Sequence, residues 1–288
     1  MEKEYRKIRI LGQGATSDVY CVREEKSQRL YACKESNQIP FLKAESEMLR
    51  CLNHPLFPAW VSYREEAQKG YLIMEYVEGE NLAQILKRRK FFSVRESARI
   101  LLEVADGLIC LEEKFPGRIY RDLKPVNLMI QPDGKVRLVD LGAAAIPPGW
   151  MAGTPGYAAP EQLEKGKVPG RSADVYALAK VMQEMLGKQK KIPASLKVLL
   201  ERCLSEKPGE RIPDMRKMRR YLTCFTRSGA LRYPVQRLQF YFQIKSKKMT
   251  YEENVLKKTA ERQRKSSKKT EEKQRKDKEK AAGEKYAE

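Results

Sequence analysis

Four side chains in this sequence are of the right types and in the right order to handle phosphate: Lys34, Asp122, Asn127 and Asp140. Gly12-Gln13-Gly14-Ala15-Thr16-Ser17 precedes the lysine. Tyr120-Arg121-Asp122-Leu123-Lys124-Pro125-Val126-Asn127 carries the first aspartate and the asparagine, Asp140-Leu141-Gly142 the second aspartate, and Ala159-Pro160-Glu161 closes the series. Glycines let backbone N–H groups come close to phosphate oxygens. A carboxylate can orient a hydroxyl and accept its proton, which is a role for Asp122. Lys124, two residues on, could neutralise charge on a moving phosphoryl group. Asn127 and Asp140 offer oxygen ligands, which magnesium prefers. The series as a whole suits phosphoryl transfer.

Each motif alone has a plainer reading. Gly-x-Gly between two strands is more often a hairpin turn than a phosphate cover. The third glycine of a fuller loop is Ser17 here, and the Gly-Lys-Ser/Thr of a Walker loop is missing. Lys34 by itself reads as a snorkelling edge residue. Burying it needs an acid, and Glu45, eleven residues on, could supply one, with Glu47 on another helix face as the fallback. Asp-x-Lys-Pro could be a capped turn and Asp140 a cap. The combination, not any member, carries the argument. His54 is the only histidine, which excludes His-based triads and His-x-x-x-His zinc sites. Six cysteines stand singly and read as reduced thiols in a cytoplasmic chain. No run of about 18 apolar residues predicts a membrane span, and the start lacks the apolar core of a secretory signal.

The elements that must position these groups change character along the chain. Short apolar runs at 8–11, 19–22, 30–33 and 71–74 read as strands. One helical stripe interrupts them, with Phe41, Ala44, Met48, Leu49 and Leu52 at three- and four-residue spacing. From about residue 81 the pattern is helical, best at 94–115, where Ala98, Leu101, Leu102, Ala105, Leu108 and Ile109 share a face. Two short strands near 127–130 and 135–139 flank the turn Gln131-Pro132-Asp133-Gly134, and helices return at 172–187, 194–204 and 214–222. The fold class is therefore α+β, a small sheet-rich lobe followed by a larger helical one with a cleft between. Charge divides just as unevenly: of the net +20, residues 1–210 carry +6 and 211–288 carry +14. Residues 223–248 form a basic, aromatic extension with strict alternation at 238–244. Residues 249–288 are so rich in Lys, Glu, Arg and Gln that they read as a disordered tail or a solvated helix.

On these motifs residues 5 to about 222 resemble a eukaryotic-type (Hanks-type) serine/threonine protein kinase domain in a compact, bacterial-like form. The wording Asp122-Leu123-Lys124-Pro125 and the run Gly153-Thr154-Pro155-Gly156-Tyr157-Ala158-Ala159-Pro160-Glu161 carry the serine/threonine likeness. The resemblance implies a bilobal domain at 1–222, with an antiparallel-sheet N-lobe to about residue 76 and a helical C-lobe over 77–222. It implies ATP and Mg2+ as cofactors and proteins bearing Ser or Thr as substrates. Lys34 would pair with Glu45 and the phosphates, Asp122 and Lys124 would serve catalysis, and Asn127 and Asp140 would bind metal. Leu11, Gly12, Gly14, Val19, Ala32, Met74, Glu75, Val77 and Met129 would surround the nucleotide. Thr154 would form the substrate platform, Asp174 would brace the catalytic loop, and Glu161 would pair with Arg211.

Departures from the family pattern matter too. Tyr120 replaces the usual histidine and Leu141 the usual phenylalanine, so the apolar spine is expected as Leu49, Trp60, Tyr120 and Leu141. Residues 141–153 contain no Ser, Thr or Tyr, so Arg121 cannot meet a phosphate there; packing of Ile146, Pro147 and Trp150 is expected to order that segment instead. Only 36 residues lie between Asp174 and Arg211, and Gly187-Lys188-Gln189-Lys190-Lys191-Ile192-Pro193 stands where the family carries a further helix. Residues 223–248 could pack on the body as an extra strand or helix, the alternation at 238–244 suiting a strand, and the tail at 223–288 could meet an anionic membrane surface or an acidic partner. Nucleic acid is disfavoured, because acidic and basic residues are mixed over 249–288. The rival reading is a nucleotide-binding, pseudokinase-type scaffold acting through the basic tail; the retained Lys34, Asp122, Asn127 and Asp140 speak for an enzyme.

Overall fold

The computed structural model describes residues 4–188 and 192–226. Five strands come first in the chain and form one antiparallel sheet: β1 (Tyr5–Gln13), β2 (Asp18–Glu24), β3 (Leu30–Ser36), β4 (Trp60–Glu66) and β5 (Lys69–Glu75), in the spatial order β1-β2-β3-β5-β4. Val22, Cys33 and Ile73 are fully buried together on one face, and Leu72, next to Ile73 and paired with Lys34, is fully buried on the other. Helix α1 (Ile39–Cys51) begins with Pro40 in its first turn, where a missing N–H costs nothing. It packs on β4 and β5, and the Trp60 indole N–H donates to Ser46 Oγ at 2.8 Å.

Sequence periodicity captured this lobe with two errors. It omitted β4, whose residues are half-buried or exposed with no clean alternation. The β4–β5 turn is also made by Ala67 and Gln68 at φ +49° and +64°, a conformation usually signalled by Gly or Asn. The stripe on α1 was misplaced as well. Leu42, Glu45, Ser46, Met48 and Leu49 are buried, while Phe41 and Ala44 are only partly so. A helix covered on more than one side does not display one apolar stripe.

The second lobe opens with β6 (Glu80–Asn81) and α2 (Leu82–Arg88), followed by α3 (Val94–Lys114). Ser93 caps α3 reciprocally with Glu96, the arrangement that satisfies two orphan N–H groups at once. Ala98, Leu101, Val104, Ala105, Leu108 and Leu111 form its buried face. β7 (Leu128–Ile130) pairs with both β6 and β8 (Val136–Leu138) in a small antiparallel sheet. Asn127 lies in a 3-10 turn just before β7 rather than in the strand. α4 (Gly142–Ala145) follows, then α5 (Ser172–Leu186), α6 (Ala194–Cys203) and α7 (Met215–Thr226). α5 is buried on nearly all sides, as expected of a helix at the centre of a lobe.

The boundary expected at residue 222 falls inside α7, so the body extends to at least Thr226. Amphipathic spacing carries Leu222 on to Phe225, and both are buried. The alternating stretch at 238–244 and the charged segment 249–288 lie outside the described residues. Among the described residues no helix is long and apolar enough to cross a membrane.

Candidate active site

The β1–β2 hairpin carries the glycine motif. Gly14 N–H donates to Ser17 O at 2.9 Å, and a Cβ on Gly14 would come within 3.3 Å of that same oxygen, so the tight turn favours glycine. Beneath it lies a cleft of about 410 Å³. Leu11, Gly12, Gly14, Val19, Ala32, Lys34, Met74, Glu75, Val77, Asn127, Met129 and Asp140 all line it. Its roof comes from the five-stranded sheet and its floor from the β7–β8 region. Glu75 joins the two: its carboxylate accepts from Ala59 N–H at 2.9 Å and pairs with Arg137 of β8.

Lys34 sits on β3, two residues before the strand ends, and is 6% exposed. Its Nζ donates to Glu45 Oε1 and Oε2 at 2.8 and 2.7 Å and to Asp140 Oδ1 at 2.9 Å. Glu45, not Glu47, is therefore the acid that meets it; Glu47 faces solvent. Burial works against the ammonium charge, but Asp140 and Glu45 outweigh it and raise the Lys34 pKa. The Glu45 carboxyl is pushed up by burial, against the pull of Lys34. At Asp140 the loss of water also opposes charge, yet Lys34 and the Gly142 N–H prevail and lower its pKa to about 2. The cluster thus holds one cation between two carboxylates, a local excess of negative charge facing the cleft.

Gly142 is part of this cluster in a way residue type alone did not reveal. A Cβ there would lie 3.1 Å from Asp140 Oδ1, 3.2 Å from Lys34 Nζ and 3.4 Å from Glu45 Oε2. Only a residue without a side chain lets the three charges close with no displacement.

Asp122 is not among the residues that line the cleft but is joined to two that are, Lys124 and Asn127; its Oδ1 accepts from Thr154 Oγ1 at 2.6 Å, and Oδ2 is 2.8 Å from Lys124 Nζ. Lys124 also donates to Thr154 Oγ1 at 2.7 Å and lines the cleft. Asn127 Nδ2 donates to the Asp122 carbonyl at 2.9 Å and to its carboxylate at 3.2 Å. That leaves Asn127 Oδ1 without a hydrogen-bond partner among the described residues, and Asp140 Oδ2 likewise. Two unengaged oxygens, one neutral and one anionic, suit a magnesium ion that takes its remaining ligands from phosphates and water. Among the described residues no group of three or more His, Cys, Asp or Glu is placed to hold a metal ion.

A second layer fixes the loop that bears Asp122. Buried Asp174 of α5 accepts the Tyr120 and Arg121 N–H groups at 2.7 and 2.8 Å. Burial nonetheless raises its pKa to about 6. Arg121 adopts φ +71°, a costly conformation for a non-glycine residue. Gln162 stabilises that kink, donating through Nε2 to Arg121 O at 2.8 Å and to Ala152 O at 3.0 Å. Sequence reasoning missed Gln162; nothing in a lone glutamine after Ala-Pro-Glu signals a backbone brace. The expected Glu161–Arg211 pair is bidentate, at 2.7 and 2.8 Å. Of the expected apolar spine, Leu49, Tyr120 and Leu141 are buried, whereas Trp60 is only partly so.

A family model described as "Protein kinase domain" matches residues 5–197. The cAMP-dependent protein kinase catalytic subunit of Dictyostelium discoideum is 31% identical over 195 residues, covering 64% of this chain and 30% of its own. The serine/threonine-protein kinase AtPK2/AtPK19 of Arabidopsis thaliana is 29% identical over 197 residues, 64% of this chain and 41% of its own. A bacterial relative, the probable serine/threonine-protein kinase pknA2 of Bifidobacterium longum, is 28% identical over 204 residues, 65% of this chain and 27% of its own. The chain spans less than half the length of these curated relatives.

Proposed function

The chain belongs to the protein kinase family, and from that premise we propose that it transfers the γ-phosphoryl group of ATP to Ser or Thr hydroxyls of proteins. The observation that carries this reading is the meeting of Lys34 with Glu45 and Asp140, the latter 106 residues away in sequence, at the wall of a nucleotide-sized cleft. Asp122, joined to the cleft-lining Lys124 and Asn127, is the one carboxylate of residues 120–127. It orients the incoming hydroxyl and accepts its proton as the new O–P bond forms. Lys124 follows the charge on the moving phosphoryl group, and Lys34 grips the phosphates that remain on the nucleotide. Asp140 and Asn127 would hold magnesium, which when bound neutralises phosphate charge and fixes the in-line geometry. Leu11, Val19, Ala32 and Met129 give the adenine ring apolar surfaces above and below, while Met74 to Val77 bound it at the rear. Thr154, bonded to both Asp122 and Lys124, is placed to support the acceptor segment.

The boundaries of the activity follow the fold: we assign it to residues 5–226, with the basic segment beyond as a possible contact for acidic partners or anionic membranes. Incubation with γ-labelled ATP, magnesium and a mixed protein substrate tests the assignment. Label should appear on Ser and Thr, and Asp122→Ala should reduce its rate by about 10²–10⁴-fold. Equal labelling by both proteins would refute the role of Asp122. No labelling alongside intact ATP binding would favour the scaffold reading.

A further inference from the structure

The segment between Asp140 and Thr154 lacks any hydroxyl that could carry a phosphate, yet its backbone is held at several points. Arg118 Nη1 donates to Ile146 O at 2.8 Å and to Ala144 O at 3.5 Å. Arg121, the neighbour of Asp122, donates to Pro147 O at 3.3 Å. Two guanidinium groups thus spend their charge on main-chain carbonyls. The next four residues form a turn closed by Trp150 N–H to Pro147 O at 3.4 Å. Pro148 and Gly149 occupy its central positions, with Gly149 at φ +86°, the residues a type II turn demands.

That turn presents Trp150 to α1. Its ring meets Phe41 edge-on, with centroids 5.7 Å apart and planes at 65°, a favourable aromatic geometry. Phe41 lies four residues before Glu45 and therefore on the same face of α1. α4, just before the turn, also packs against α1. Trp150 is otherwise 59% exposed. A large apolar ring that is more than half exposed yet meets an aromatic ring of α1 needs a reason that core packing does not supply.

We propose that Trp150 and Phe41 are positioning residues: their contact fastens the 141–153 segment to α1 and holds Glu45 against Lys34, so that the site is assembled without a phosphate on that segment. The path is continuous. Arg121 fixes Pro147, the turn fixes Trp150, Trp150 fixes Phe41, and α1 carries Glu45 to Lys34. The inference rests on the reading of Lys34 and Glu45 as parts of a phosphoryl-transfer site. Neither ring touches the reacting atoms, so the effect should fall on kcat rather than on the KM for ATP.

Trp150→Ala, Phe41→Ala, the double variant and Trp150→Phe test it in the full chain, with ATP and a Ser/Thr peptide mixture as substrates. Each alanine variant should lower kcat about fivefold, the excess an aromatic pair contributes, with KM for ATP unchanged. The double variant should be no slower than either single one, and Trp150→Phe should recover most of the rate. Amide exchange over residues 39–51, measured without substrate, should quicken in both alanine variants. Protein treated with phosphatase should keep its activity. Unchanged kcat with unchanged exchange, additive losses, or inactivation by phosphatase would each overturn the proposal. A wild-type protein that transfers no phosphoryl group would sink the kinase reading instead, and the exchange data would still decide whether the clasp holds α1.

Discussion

Two buried ion pairs, one in each lobe, show how the same chemistry can serve opposite ends. Arg211 and Glu161 are 1% and 6% exposed, and Lys34 and Glu45 are 6% and 4%, so burial does not separate them. Their partners do. Arg211 makes both bonds to Glu161, donates to Ser205 O at 2.6 Å and Glu206 O at 3.0 Å, and sits 4.9 Å from the Tyr176 ring centre. It joins the end of the 153–161 segment to the turn before α7, and its hydrogen-bonding capacity is spent inside the protein. Lys34 shares its three donors between Glu45 and Asp140, and the Asp140 side chain is 41% exposed on the cleft. One pair is closed and structural; the other is held open to a ligand with a charge imbalance that a cation and phosphates can correct.

Arg211→Ala tests the closed pair and should have the largest effect. It strands the buried Glu161 carboxylate without its partner, and a loss of about 3–5 kcal/mol is expected, measured as a fall in the urea midpoint. Lys34→Met tests the open pair. Stability should fall less than in Arg211→Ala, because Asp140 can take water from the cleft, while kcat should drop about 10²–10³-fold. If Lys34→Met unfolds the protein as Arg211→Ala does, the distinction between the pairs fails.

Asp174→Asn sharpens the comparison with a buried acid that makes no ion pair among the described residues. An amide nitrogen cannot accept, so one of the Tyr120 and Arg121 N–H groups loses its bond, at about 1–3 kcal/mol. The sign with pH is set by the raised folded-state pKa. Between its ordinary value of 3.8 and about 6, the unfolded chain sheds this proton before the folded one does. The contribution of the carboxyl is therefore largest near pH 4 and declines as pH rises through about 6. The stability advantage of wild type over Asp174→Asn should narrow accordingly between pH 4.5 and 7.5. Smallest of all, Ser93→Ala removes the α3 cap remote from either pair. It should cost about 1 kcal/mol and leave kcat unchanged.

Residue types that carry charge or offer a metal an oxygen were the legible part of this site. Lys34, Asp122, Asn127 and Asp140 can be read from the sequence because few other side chains perform those tasks, and Glu45 because a buried lysine requires an acid on a facing helix. Gly142 and Gln162 were not legible as site components. One matters for the space its missing side chain leaves, the other for two carbonyls brought to it by the fold, and neither relation leaves a local pattern. The long helices α3 and α5 announce themselves through their helical patterning. β4 does not, because its residues are half in solvent and its turn uses Ala67 and Gln68 where glycine or asparagine would have given notice. Phe41 shares the expected stripe of α1 yet is only partly buried, because a helix packed against two surfaces carries two overlapping stripes.

The central claim is that acids and an amine from both lobes converge on one magnesium–nucleotide complex. Calorimetric titration of the full chain with ATP in the presence of magnesium tests it most directly, with Asp140→Asn as the comparison. One site per chain is expected in the wild type, and binding should weaken sharply in the variant while the urea midpoint shows it still folded. Absence of binding in the wild type, or equal affinity in a folded Asp140→Asn protein, would contradict the account.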